Sequence, residues 1–378
     1  VNHLARKQAL LKRARRLVVK VGSSLLSTPE GLDARRIRSL VREVEELGGA
    51  EREFILVTSG AVAAGRARMR LRERPKTIPQ KQAAAAVGQI DLMTTYKECF
   101  EARGRHVAQI LLTRDDFSNR RRYLNAKRAI GALLEAGVRP IVNENDTVAV
   151  DEIKLGDNDN LSAAVAALVE ADLLVILSDV DGLHTADPRR DDSAKPVPIL
   201  AAEDPRAGRY ASASAGPLGS GGMATKLEAA RKAAAAGIST IIADGRDENS
   251  LRRVLDPATV AGTLVLPLAD RLTSRKHWIA FTLRPQGALH LDAGAVAALR
   301  DGGRSLLPSG VTLVEGTFGG GDCVRCLAPD GGEVARGLVN YSSAELRRIQ
   351  GAHTRDIDRI LGYKISDEVI HRDDMVIA

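Results

Sequence analysis

Three short stretches of the sequence gather side chains suited to handling phosphate. In IKLGDNDNLSAAVAAL, which starts at Ile153, Asp157, Asn158, Asp159 and Asn160 stand in a row after Lys154 and Gly156 and run straight into an alanine-rich apolar pattern. One Asp or Asn is enough to cap a helix, so the run holds more polar groups than capping requires. In GSGGMATK, Gly219 to Lys226, a flexible backbone, a helix start and a lysine meet at one point. Glycines let backbone N–H groups approach phosphate oxygens, the helix end adds partial positive charge, and Lys226 adds a full one. The third stretch is LVVKVGSS, where Lys20 sits near the end of an apolar strand and Gly22, Ser23 and Ser24 follow as a small-residue turn. Burying an unpaired ammonium there is costly, so Lys20 either reaches solvent at a sheet edge or meets a phosphate at the turn. A second lysine beside a second glycine turn favours the phosphate. The chain contains neither GxxxxGK[ST] nor a GxGxxG following a strand, which excludes those nucleotide loops.

These stretches need a scaffold, and the sequence supplies one. From Arg16 to about Asp244, short β-branched runs alternate with longer helical ones, the signature of a βαβ series on a mainly parallel sheet. LVVKVG, FILVTSG, VAQILLT, RPIVNEND, DLLVILSDVDG and STIIADG begin apolar and end in small or polar residues. Ligands of such sheets collect beyond the carboxyl ends of the strands, where those polar ends lie. After about Pro267 the texture changes to short strands with glycine-rich turns, which predicts a separate β-rich domain. The expected division is a basic N-terminal arm over 1–15, an α/β domain over 16–266, a linker over 267–284, a small β-rich domain over 285–363 and a C-terminal tail over 364–378.

Composition narrows the function. At 378 residues the chain exceeds the usual size of a single core. No run of apolar residues is long enough to span a membrane and no secretory signal opens the chain, so a cytoplasmic protein is expected. The net charge of +7 falls to +1 without Arg6, Lys7, Lys12, Arg13, Arg15 and Arg16, and residues 271–378 hold 14 basic and 13 acidic side chains. Neither pattern is a broad nucleic-acid footprint. Cys99, Cys323 and Cys326 are too few for a disulfide framework; the CVRC pair reads as two apolar residues facing opposite sides of one strand. HRDDM at His371 lacks the companions of a protein kinase signature, GGGD at Gly319 reads as a tight turn, and the histidines show no metal-ligand spacing.

In order along the chain, KVGSS at Lys20, VTSGAVAAG at Val57, LLTRDD at Leu111, VNENDTVA at Val142, KLGDNDNLSA at Lys154, SDVDGLHTADPR at Ser178 and GSGGMATK at Gly219 resemble the motifs of the amino acid kinase family, in its glutamate 5-kinase branch. The last third resembles the PUA domain that bacterial members of that branch commonly carry. The resemblance implies a three-layer αβα fold with a mainly parallel central sheet, followed by a small β-rich PUA-like domain. It implies ATP as co-substrate with Mg2+, L-glutamate as acceptor, L-proline as feedback inhibitor, a homo-oligomer (dimer or tetramer), and RNA as a conceivable partner of the PUA-like domain.

Carried over by position, the resemblance gives Lys20, Lys154, Asp159 and Lys226 to catalysis, with Asp159 holding the two buried-strand and helix lysines. Ser59, Gly60, Ala61, Asn143, Asp146, Asp157 and Asn158 fall to glutamate, Asp146 suiting the substrate ammonium. Lys20, Gly22, Ser178, Asp179, Ser220, Gly221, Gly222, Met223, Ala224, Thr225 and Lys226 fall to ATP, and Asn160 is left as the helix cap. No protein ligand is assigned to magnesium, which would bridge the ATP phosphates largely through water. Ser178 stands where Thr is common in the family and His184 where Tyr is common. Two other readings stay open: a family member acting on acetylglutamate, aspartate, carbamate or a nucleoside monophosphate, and an RNA-binding regulatory protein with a vestigial kinase fold. The motifs around Asn143 and Asn158 favour glutamate, and intact Lys20, Asp159 and Lys226 weigh against the vestigial reading.

Overall fold

A computed structural model describes residues 3–28, 30–49, 51–149, 158–186, 191–208, 210, 222–267, 283 and 285–377. The chain divides into two compact units, the first made of Val1–Phe117 and Asn125–Leu268, the second made mainly of Ala269–Ala378. The expected linker falls almost wholly outside the described residues.

In chain order, the first unit's strands are Arg16–Val21 (β1), Ser27–Thr28 (β2), Gly31–Leu32 (β3), Glu53–Val57 (β4), Val107–Leu112 (β5), Arg139–Glu144 (β6), Leu173–Ser178 (β7), Ile199–Ala201 (β8), Ser239–Asp244 (β9) and Thr263–Leu266 (β10). The helices up to Leu268 are His3–Arg13 (α1), Ser23–Leu26 (α2), Ala34–Gly48 (α3), Ala61–Arg68 (α4), Ile78–Glu101 (α5), Arg114–Ser118 (α6), Arg120–Glu135 (α7), Asn158–Leu168 (α8), Met223–Ala235 (α9) and Ser250–Leu255 (α10), all in the first unit except Ser118–Leu124. Apart from the β2–β3 hairpin, the strands form an eight-stranded sheet in the order β5-β6-β4-β1-β7-β9-β10-β8. Pairing is parallel throughout except between β10 and β9. The inner strands are continuous apolar runs because helices cover both faces, and β7 is buried along its whole length. β1 lies between β4, the next strand of the sheet along the chain, and β7, which the chain enters only after β6, so the strand order switches at its carboxyl end, where ligands of such sheets collect.

Helix α5 starts at a capping box formed by Thr77 and Gln80. It crosses α4 at two glycines. A Cβ on Gly65 would lie 1.7 Å from the Ala84 carbonyl oxygen, and one on Gly88 would lie 1.9 Å from that of Ala61. Only hydrogen fits at either position, so the crossing fixes α5 against the first turn of α4.

The N-terminal segment is not an arm. Residues His3–Arg13 form α1, and its face of His3, Lys7 and Leu11 is buried on the first unit. Leu11 joins the core with about 2 kcal/mol of apolar burial. The Lys7 ammonium donates to the Thr259 carbonyl at 2.6 Å, which satisfies a cation whose burial lowers its pKa to about 8.

The second unit carries Gly287–Leu291 (β11), Val311–Gly316 (β12), Cys323–Leu327 (β13), Glu333–Leu338 (β14) and Met375–Ile377 (β15), with helices Ala293–Arg300 (α11), Ser343–Ile349 (α12) and Ile357–Leu361 (α13). The sheet order is β12-β11-β13-β14-β15. Leu289, Val324, Cys326, Tyr341, Ile349 and Ile370 belong to its core, while Cys323 packs with Leu338 in a separate cluster on the other side of β13. The GGGD segment is a turn closed by Gly319 N–H donating to the Asp322 carboxylate at 2.7 Å. The last residues are more than a tail: Arg372–Asp374 form a 3-10 turn that leads into β15, and β15 pairs with β14.

Candidate active site

Lys20 is the penultimate residue of β1, in register with Val57 of β4 and Ile176 of β7. Its Nζ lies 2.6 Å from Oδ1 of Asp159, in the first turn of α8. Lys226, in the first turn of α9, places its Nζ 3.4 Å from Oδ2 of the same carboxylate. The Thr225 hydroxyl lies 2.9 Å from that oxygen and equally close to the Gly222 carbonyl. All three charged side chains are buried. Two ammonium groups on one carboxylate leave a surplus positive charge in a water-poor cleft.

The two lysines hold the Asp159 carboxylate ionised. Burial alone would raise the Asp159 carboxyl, but Lys20 and Lys226 outweigh it and keep the group below its ordinary value. Burial lowers the Lys226 ammonium and Asp159 opposes that shift. Because residues of both first turns converge on Asp159, the N-termini of α8 and α9 meet beside Lys20, and the positive ends of both helix dipoles add to the potential there. Gly22 keeps the space open: a Cβ there would stand 3.7 Å from Lys20 Nζ, so a larger side chain would fill the approach to the ammonium. Ser178 and Asp179 lie at the end of the neighbouring β7, joined by a 3.0 Å hydrogen bond from the serine hydroxyl. Gly222, Met223, Ala224 and Thr225 form the approach to α9 and its first turn, with Met223 buried beneath it.

One residue before Asp159 the chemistry changes. Asn158 donates from Nδ2 to the Thr58 carbonyl at 2.6 Å, to Ser59 Oγ at 2.7 Å and to Asn143 Oδ1 at 3.1 Å. Asn143 Nδ2 in turn donates to Gln89 Oε1 at 2.8 Å. Ser59 leads into Gly60, the α4 N-cap, whose φ of 107° no ordinary side chain adopts comfortably, and then into Ala61. The result is a cradle of neutral amides and a hydroxyl beside the start of a helix. Asp146 follows β6 on a loop, half-buried, and burial raises its carboxyl to about 6.

The structure thus brings Lys20, Asp159 and Lys226 into one cluster and Ser59, Asn143 and Asn158 into another. Lys154, Asp157, Ser220 and Gly221 lie outside the described residues. Asn160 is not the cap: α8 already begins at Asn158, and the Asn160 side chain accepts from Lys232 Nζ at 2.8 Å. Sequence reasoning passed over Thr58, Gln89 and Tyr96. Gln89 and Tyr96 sit in an ordinary helical pattern, and only the fold shows what they touch.

The description "Amino acid kinase family" matches residues 15–244, and "PUA domain" matches residues 287–361. The glutamate 5-kinase of Geobacter sp. strain M21 is 51% identical over 372 residues, covering 98% of this chain and 100% of that protein. That of Geobacter sulfurreducens is 49% identical over 372 residues, with 98% and 100% covered. Among solved structures, a UMP kinase from Bacillus anthracis aligns with a TM-score of 0.47 at 16% identity, over 68% of this chain and 97% of that one. With a kinase profile across more than half its length and relatives alike from end to end, the chain belongs to the amino acid kinase family, in its glutamate 5-kinase branch with a PUA domain.

Proposed function

We infer that this protein transfers the γ-phosphoryl group of ATP to the side-chain carboxylate of L-glutamate, giving L-glutamyl 5-phosphate, the first step of proline biosynthesis. One observation carries the reading from the molecule itself: a buried cluster of two lysines on Asp159 adjoins a neutral amide cradle on Asn158, the neighbouring residue. The first suits a transferring phosphoryl group and the second an amino acid. A carboxylate nucleophile with a pKa of about 4.3 is ionised at neutral pH, so no general base is needed. Catalysis then reduces to aligning two anions and compensating the charge between them.

In this reading Lys20 and Lys226 stabilise charge on the phosphoryl oxygens, and Asp159 holds both side chains in place. Lys154 adds a further positive charge. Gly22, Ser178, Asp179 and the segment from Ser220 to Lys226 receive the nucleotide. Ser59, the Gly60 and Ala61 backbone, Asn143, Asp157 and Asn158 receive glutamate, with Asp146 pairing its ammonium. Among the described residues there is no group of three His, Cys, Asp or Glu side chains able to hold a metal. Bound to the ATP phosphates, magnesium would neutralise charge between donor and acceptor. Family resemblance supports L-proline as a competitor at the glutamate half, a dimeric or tetrameric assembly, and a cytoplasmic setting. Among the described residues no helix is long and apolar enough to cross a membrane.

The test is ATP-dependent hydroxamate formation with L-glutamate, N-acetyl-L-glutamate, L-aspartate and UMP in parallel, with ADP release as a second readout. Turnover with glutamate is the expected outcome. Turnover with another acceptor and none with glutamate would replace the substrate in this reading.

A further inference from the structure

We propose that helix α5 positions the glutamate cradle from behind, through Tyr96 and Gln89, two residues that hold the acceptors of Asn158 without touching substrate. The proposal rests on the glutamate reading above. Asn158 carries two amide hydrogens and faces three oxygens, so its orientation depends on where those oxygens are held. Two of them answer to α5. The Tyr96 hydroxyl lies 3.0 Å from Thr58 Oγ1, with both residues fully buried, and the Thr58 carbonyl is the Asn158 acceptor at 2.6 Å. Gln89 Oε1 accepts from Asn143 Nδ2 at 2.8 Å, and Asn143 Oδ1 is another Asn158 acceptor.

The direction of every amide in this chain follows from one fixed point. A backbone carbonyl can only accept, so the Thr58 carbonyl requires Nδ2 of Asn158 on its side. That amide can only donate to Asn143, which must present Oδ1 and therefore turns Nδ2 toward Gln89. Gln89 must then present Oε1. Its own Nε2 is buried and has no hydrogen-bond partner among the described residues. The Gly65–Gly88 crossing adds the mechanical part. Gly88 precedes Gln89 and sits against Ala61, so the helix cannot shift relative to the Ser59–Ala61 segment without a backbone clash.

Loss of either hydrogen bond loosens Asn158 on the glutamate side alone. Removing one neutral hydrogen bond corresponds to about a 2- to 12-fold change in an equilibrium constant. Steady-state kinetics of the full chain would therefore show the glutamate KM of Tyr96→Phe and of Gln89→Met raised about three- to tenfold, with the ATP KM within twofold of wild type. In a Thr58→Val background, which keeps the backbone carbonyl but removes the hydroxyl, Tyr96→Phe should have no further effect. A glutamate KM within twofold of wild type in both single variants overturns the proposal. So does an equal rise in both substrates' KM, which would mark general loosening. Wild type assayed alongside separates the two levels: no turnover with glutamate in wild type defeats the substrate reading, whereas an active wild type with unaffected variants defeats only the role of α5.

Discussion

Asn158 and Asp159 are neighbours on one helical turn, yet they organise opposite kinds of chemistry. Asp159 works by charge: it is buried, ionised and shared by two ammonium groups. Asn158 works by neutral hydrogen bonds, and its partners are a carbonyl, a hydroxyl and another amide. The contrast matches what each half has to do. A migrating phosphoryl group gathers charge as it transfers, so buried cations act most strongly at that moment. An amino acid keeps its charges throughout, and a cradle of fixed dipoles selects it by geometry. In the proposed reaction the first would supply rate and the second selectivity.

The sharpest way to break this comparison is to remove charge from the Asp159 cluster. Lys20→Ala or Lys226→Ala should lower kcat by about a hundredfold or more, with a much smaller change in glutamate KM. Near-native kcat in a folded variant would take that lysine out of the chemistry. Asp159→Asn strands two buried ammonium groups, which should cost about 3–5 kcal/mol of stability as well as activity. A thermal melt indistinguishable from wild type would show that the lysines do not depend on Asp159.

A milder probe is Asp146, on the loop after β6. Asp146→Asn should raise the glutamate KM and leave the ATP KM nearly unmoved; the reverse pattern would undo the division into two halves. Because burial raises this carboxyl to about 6, it takes up a proton as pH falls through that value and loses its hold on the substrate ammonium. The glutamate KM of wild type should therefore climb between pH 7.5 and 5.5, where the substrate's own side chain stays ionised. The Asn variant should show a flatter profile, and equal slopes would remove Asp146 as the titrating group.

The sheet was legible because each buried strand is an apolar run that closes on a polar end, and those ends carry Lys20, Ser59, Asn143 and Ser178. The partners of Asp159 were legible only through resemblance, since Lys20, Asp159 and Lys226 are far apart in the chain and nothing local brings them together. Asn160 was misread because a run of four capping residues does not say which one starts the helix. The N-terminal helix was missed because Lys7 sits on its buried face between His3 and Leu11, so a charge count hides the stripe. Gln89 and Tyr96 left no trace, for their contacts exist only where α5 passes Thr58 and Asn143.

The smallest effect is expected from shortening the chain. Every described residue given a chemical role lies in the first unit, so a chain ending at Leu266 should turn over glutamate within a few-fold of full length. A folded but inactive truncation would mean that residues beyond Pro267 complete the site or the assembly.

The bond from Lys7 to Thr259 also has a bearing on how the protein is made. It joins residues 252 positions apart, and β1 waits for Leu173–Ser178 before its second flank is covered. At ordinary rates of synthesis, the N-terminal helix stays without its docking surface for roughly 10 to 50 s. Such non-local closure makes for slow folding and prolonged exposure of apolar residues such as Leu11. Helix α1 is thus secured only once residues 252 positions further along have been made, and a chaperone would have that interval in which to bind it.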